Sequence, residues 1–209
     1  VEDDIGLLTA LETTRAIRRY RDEPLPDADL ERILWFASRA PSGSNRQPFR
    51  FLVISQNRDD VRGLLGDAFR ASWQEKRIAD GYRPSRFADS MQEFVDRFEL
   101  TPGIILVCLE RYREPSVYEG ASVYPAVQNL LLAARGLGYG GALTMWHLAV
   151  EDELRQLLQI PEHVALSACV TLGRPRGRHG PVRRRPLGEL MYVDQWGSTT
   201  VDHGPQSAR

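Results

Sequence analysis

The chain has 209 residues, 42% hydrophobic and 26% charged, a composition that excludes disorder and is ample for one buried core. Its 27 basic and 28 acidic residues leave a net charge of -1, which argues against any general attraction to nucleic acid or to a membrane surface. Two cysteines cannot make a disulfide framework, and no run of about 18 apolar residues is present to span a bilayer.

Ile5, Leu8 and Leu11 fall on one helical stripe over 4–14. Pro24, Pro26 and Asp27 mark a turn and a helix start, and Leu30, Ile33, Leu34 and Ala37 set the inner face of a helix reaching 39. Residues 41–48 form a small, polar loop that leads into an apolar strand over 49–55. Helices follow over 58–79, with Val61, Leu64, Leu65 and Ala68 inward, and over 85–100. The apolar run 103–109 reads as a strand buried on both faces. Residues 121–137 give an apolar helix that calls for burial on nearly every side. A short strand over 143–146, a capped helix over 151–160 and a last core strand over 163–172 complete the core. From Gly173 the chain is rich in Arg, Pro and Gly, yet Leu187, Leu190, Met191, Tyr192 and Trp196 predict that this arm docks. About four strands and six helices without simple βαβ alternation predict an α+β fold, one domain with a core over 8–172 and an arm over 173–209.

All the basic residues but Lys76 are arginine. Arginine is a poor general base but grips phosphate and carboxylate in a bidentate fork. Arg15, Arg18 and Arg19 lie within five positions at a helix end, either as a solvated helix terminus or as an anion clamp. The loop 40–48 is either an ordinary polar loop or a surface on which backbone approaches a flat heterocycle, with Ser, Asn and Gln offering donors and acceptors. Gly136-Leu-Gly-Tyr-Gly-Gly matches the dinucleotide fingerprint in letters only, because a helix precedes it and a strand follows. The tail arginines 174, 176, 178, 183, 184 and 185 either form a basic, disordered tail or belong to a docked segment. His147, His163, His179 and His203 lack metal-ligand spacing, and Cys108 and Cys169 read as inert thiols in apolar strands. With no nucleophile motif and no metal set, no side chain is expected to carry chemistry by itself.

Four segments, in order, resemble the FMN-dependent nitroreductase family over roughly 8–196. Arg15-Ala-Ile-Arg-Arg-Tyr resembles its Arg-Ser-Ile-Arg-Arg-Phe, and Ala40-Pro-Ser-Gly-Ser-Asn-Arg-Gln-Pro-Phe its Ala-Pro-Ser-Gly-x-Asn-x-Gln-Pro-Trp. Ala126-Val-Gln-Asn-Leu and Arg183-Arg-Arg-Pro-Leu resemble its central helix and its C-terminal basic motif. The resemblance implies a central, mixed, mostly antiparallel sheet flanked by helices, in a homodimer whose C-terminal arm is exchanged and whose FMN lies at the interface. By matching positions, Arg15 and Arg184 hold the FMN phosphate, assisted by Arg19 or Arg183, and Arg18 lies near flavin N1 and the C2 carbonyl. Ala16 and Ile17 complete that segment. Pro41, Ser42, Gly43, Ser44, Asn45 and Gln47 border the ring system from the other subunit, and Leu143 and Thr144 meet its opposite edge. Two departures stand out: Ala16 replaces a frequent Ser, and Thr14 a frequent Arg.

The activity so implied is reduction of a small aromatic acceptor, a nitroaromatic or quinone, by NADH or NADPH in a ping-pong cycle in the cytoplasm. A flavin-binding protein without turnover, for storage or sensing, is the alternative. Trp73, Tyr82, Phe87, Phe94 and Phe98 resemble the substrate lid of the family's reductive dehalogenases, or else pack two helices together. The chain begins at Val1, which reads as a trimmed N-terminus.

Overall fold

The computed structural model describes residues 5–81 and 83–198. In chain order the elements are α1 (Leu7–Thr13), α2 (Asp27–Ala37), β1 (Phe49–Ile54), α3 (Asp59–Ala79), α4 (Arg86–Asp96), β2 (Gly103–Glu110), α5 (Tyr124–Gly136), β3 (Gly140–Thr144), α6 (Glu151–Leu158) and β4 (Val164–Gly173). The strands form one sheet in the order β1-β2-β4-β3, with every neighbouring pair antiparallel. The chain segment before Tyr20 adds a single parallel bridge, Ala16 to Gly141, at the β3 edge.

Both faces of the sheet are covered, which is why β2 is apolar throughout. Ile104, Leu106 and Cys108 join a core with Phe69, Trp73, Phe94 and Phe98 of the α3–α4 side. Ile105, Val107 and Leu109 face the other way, onto Ile33, Val127 and Leu130 of α2 and α5. Successive strand residues point to opposite faces, so a continuous apolar run serves two cores. The alternation slips once. Val107 pairs with Ala168 and Cys108 with Leu166, so Ser167 is the extra residue of a bulge. As a result Leu166 and Cys169 share one core, whereas Ala168, Val170 and Leu172 share the other.

Arg62, in the first turn of α3, is only 2% exposed. Its guanidinium donates to the carbonyls of Ser55 (2.9 Å), Ile54 (3.2 Å), Glu99 (2.9 Å) and Thr101 (2.9 Å). Burial lowers its pKa, with Asp59 opposing. The side chain thus ties the end of β1 to the turn that precedes β2.

Several expectations shift. The helix predicted over 85–100 ends at Asp96, where Arg97 leaves helical geometry, and Phe98–Leu100 is a separate 3-10 turn. The strand predicted over 143–146 begins earlier, at Gly140. Leu7, Leu8 and Leu11 of α1 are exposed, and Ala10 is its one buried residue. The helix α5 buries Ala126, Val127, Leu130 and Ala134. Its Leu132 and Ala133 instead line an open groove of about 520 Å³ with Leu7, Phe36 and Leu137. Trp73, Phe94 and Phe98 are buried between helices, while Phe87 is exposed against the edge of Trp73. Helix packing therefore accounts for three of the five aromatics set apart as a lid, and Tyr82 lies outside the described residues, as does His203.

Candidate functional site

The segment after α1 is held along β3 by its own backbone. Ile17 N donates to the Gly141 carbonyl at 2.9 Å. This approach needs glycine at two positions: a Cβ on Gly140 would lie 2.5 Å from the Ile17 side chain, and one on Gly141 2.6 Å from the Thr171 carbonyl. Tyr20 closes the segment. Its buried phenol donates to the Ile17 carbonyl at 2.6 Å and meets Thr171 Oγ1 at 2.9 Å. Burial raises the phenol's pKa far above its usual range, so Tyr20 is neutral.

These constraints fix the arginines between them. The Arg18 side chain is partly buried beside β3, and among the described residues it has no hydrogen-bond or carboxylate partner. Burial lowers its pKa, opposed by Tyr20. Arg19 differs: its exposed guanidinium lies 2.5 Å from Glu93 of α4. Arg15 and Ala16 are exposed.

The first part of the arm returns along its own chain. Arg176 N donates to the Arg19 carbonyl at 2.9 Å, and His179 Nε2 to the Tyr139 carbonyl at 3.1 Å. Val182 N donates to the Glu12 carbonyl at 3.0 Å. That last bond sets the backbone leading to Arg183 and Arg184 against the last turn of α1, and Arg15 follows two residues after that helix ends. Past Val182 the arm is exposed, with Leu187 and Trp196 turned outward.

The loop before β1 lies elsewhere. Gly43–Asn45 is a 3-10 turn in which Ser44 (φ 53°) and Asn45 (φ 52°) are left-handed, as is Gln47 (φ 50°). Left-handed backbone at a residue other than glycine costs on the order of 1–3 kcal/mol, least for Asn. The turn is held by Gln47 N donating to Ser42 Oγ at 2.8 Å and by Arg46 stacked over Tyr112 at 4.6 Å. Pro41, Gly43, Ser44, Asn45 and Gln47 are exposed and Ser42 is half-exposed. The loop feeds β1 at one edge of the sheet, whereas Leu143 and Thr144 end β3 at the other. Three inter-strand spacings, about 14 Å, separate the two edges. A single chain does not bring loop 41–47 onto Arg18.

The nitroreductase family profile matches residues 11–174, which takes in the arginine motif, the loop and all four strands. The chain belongs to the nitroreductase family. Among curated relatives of this family member, an Archaeoglobus fulgidus protein provisionally named NADH dehydrogenase/NAD(P)H nitroreductase is 32% identical over 178 residues, 81% of this chain and 85% of that one. An iodotyrosine deiodinase of Thermotoga neapolitana is 28% identical over 186 residues, 85% and 91% of the two chains. A nitroreductase-type protein of Desulfovibrio desulfuricans, crystallised in complex with FMN, superposes with a TM-score of 0.67 at 28% identity, covering 93% of this chain and 99% of its own.

The donor set suits a flavin mononucleotide. A partly buried guanidinium without an acid partner, Arg18, wants an acceptor, and a reduced flavin offers one at N1 and the C2 carbonyl. Arg15 and Arg184 are exposed, and guanidinium groups of that kind suit a phosphate dianion. Among the described residues no group of three His, Cys, Asp or Glu could hold a metal, and no helix is long and apolar enough to cross a membrane. Burial raises the thiols Cys108 to about 11 and Cys169 to about 12, which makes both inert. Sequence reasoning did not find Arg62, because an arginine at a helix start reads as solvated. Nor did it find the Glu93 partner of Arg19, which comes from a helix 74 positions away.

Proposed function

We propose that the protein is an FMN-dependent oxidoreductase that uses NADH or NADPH to reduce a small aromatic acceptor, a nitroaromatic, quinone or related ring. The observation that carries this reading is Arg18, a partly buried cation that lacks an acceptor among the described residues and directly follows the segment bridged to β3. Bound FMN would supply two-electron chemistry, taking hydride from the nicotinamide and passing electrons to the acceptor. The protein's part is to bind and to polarise. Arg18 stabilises negative charge at flavin N1 and C2=O, and Arg15, Arg184 and Arg183 hold the phosphate. Leu143 and Thr144 meet one edge of the ring.

The distance between the sheet edges makes the site a property of two chains. In a homodimer, Ser42, Gly43, Ser44 and Asn45 of one protomer reach the flavin held by Arg15, Arg18 and Arg184 of the other. The exposed Leu187, Leu190, Tyr192 and Trp196 then find cover on the partner, as do the α1 leucines and the groove along α5. An obligate interface of about 2,000 Å² or more is expected. The cytoplasm remains the expected compartment.

Donor and acceptor share one flavin face and so exclude each other. Steady-state kinetics on the yellow protein are therefore expected to give parallel double-reciprocal lines, with inhibition at high acceptor. Intersecting lines would reject the shared pocket. A yellow protein that oxidises neither NADH nor NADPH with any aromatic acceptor would point instead to flavin storage or sensing.

A further inference from the structure

Arg19 is held at both ends. Its carbonyl accepts from Arg176 N at 2.9 Å, and its guanidinium lies 2.5 Å from Glu93 Oε2. The other oxygen of the same carboxylate, Oε1, accepts from Arg176 Nη1 at 2.9 Å. Arg19, Glu93 and Arg176 therefore close a ring across three segments: the chain after α1, the helix α4 and the start of the arm. Each carboxylate oxygen serves a different arginine, and charge-assisted bonds of this kind fix geometry as well as charge. Asp22 extends the ring outward, meeting Arg176 at 3.4 Å and Arg97 at 2.6 Å. The cleft among these side chains measures about 20 Å³, room for about one water, which leaves no space there for a ligand.

The ring constrains the residue just before it. On one side of Arg18, Ile17 N is bound to the Gly141 carbonyl and the Ile17 carbonyl to the Tyr20 phenol. On the other side stands Arg19, held by backbone and side chain together. A partly buried cation with no acceptor among the described residues gains solvation by swinging out to water. Anchors on both flanks oppose that escape. Half-exposed ion pairs contribute little to overall stability, so their consequence is sought in the site and not in the melting temperature.

We propose that Glu93 is a positioning residue for the flavin, because by clamping Arg19 it holds the Arg18 guanidinium at the cofactor. This inference rests on the FMN reading given above. Reduction places negative charge near flavin N1 and the C2 carbonyl, so a fixed cation there favours the reduced form over the oxidised one. A guanidinium free to turn toward water loses part of that preference.

The test is the two-electron potential of the FMN-loaded protein, with the affinity for oxidised FMN measured beside it. In Glu93→Gln the preference for reduced over oxidised flavin is expected to fall about tenfold, which lowers the potential by about 30 mV. The sign is diagnostic, since loss of a negative charge alone would raise the potential. Glu93→Asp, which keeps the charge on a shorter stem, is expected to recover part of the fall. In an Arg18→Met background, Glu93→Gln is expected to move the potential no further. Asp22→Asn, which disturbs the outer pairs, is expected to leave it unchanged. A potential that stays level or rises in Glu93→Gln would overturn the proposal, as would a fall that persists undiminished in the Arg18→Met background. A protein that takes up no FMN overturns the reading beneath it, whereas a yellow protein whose potential ignores Glu93 overturns the positioning alone.

Discussion

Arg62 is 2% exposed and donates to four backbone carbonyls, whereas Arg18, partly buried beside β3, has no acceptor among the described residues. Both have left water, and in both burial lowers the pKa. The chain itself satisfies one and leaves the other unsatisfied. Burying a charge without hydrogen bonds is costly, so a persistent unsatisfied cation marks a place completed by something else. Arg62 belongs to the fold, and Arg18 to the site.

That contrast breaks most readily at Arg62. Arg62→Leu strands the carbonyls of Ser55, Ile54, Glu99 and Thr101, some in the core. A loss of about 3–5 kcal/mol is expected, read from the urea midpoint. At Arg18 the order reverses. Arg18→Met is expected to leave the flavin-free protein as stable as before, or slightly more so, while weakening FMN by about ten- to a hundredfold. Arg184→Ala should weaken FMN to a similar degree, and riboflavin, which lacks the phosphate, discriminates between the two. Riboflavin loses affinity with Arg18→Met and little with Arg184→Ala. Equal losses of FMN and riboflavin in Arg184→Ala would remove that residue from the phosphate.

The smallest expected effect is a pH slope. His147 is fully buried, and His179 is partly so beside Arg135 and Arg15. Burial lowers the pKa of each from its ordinary 6.5, with Arg135 adding to the effect at His179. The unfolded chain therefore binds more protons than the native one as pH falls. Stability is complete above about pH 6.5 and is lost progressively below it. His147→Gln should flatten part of that slope in a series of thermal melts. A slope of opposite sign would mean that a carboxylate, rather than the imidazole, governs the region.

Most of the fold was legible in the sequence because its signals are local. The apolar run 103–109, the stripe Val61, Leu64, Leu65 and Ala68, and the break at Pro161 each carry their own periodicity or terminus. What was hidden depends on neighbours remote in sequence. Gly140 and Gly141 hold β3's first two positions, although glycine disfavours strands, because Ile17 and the Thr171 carbonyl crowd them. Helix 85–100 divides at Arg97 for reasons its periodicity does not carry. The arginine motif could be found by its spacing, but its partition could not. Glu93 claims Arg19, Val182 carries Arg184 to the end of α1, and Arg18 is left over. The loop 41–47 read correctly as small and polar, while its place at the far edge of the sheet follows only from the strand order.

The bulge at Ser167 bears on how the chain tolerates change in length rather than in composition. From Ala168 onward β4 presents Val170 and Leu172 to the α2–α5 side, while before the bulge Leu166 faces α3 and α4. Swapping one hydrophobe for another on either side alters only local packing. Removing Ser167 alone would leave Leu166 followed directly by Ala168, each still on its own face, whereas removing a paired residue such as Cys169 would turn the strand's first half over. Leu166 would then face the wrong core, and the following anchor of the arm, at Pro175 and Arg176, would still depend on the second half staying in place. A deletion at a paired position of this strand is therefore a change of layer, and relatives that differ in length are expected to vary in the loops around β4 or at the bulge itself.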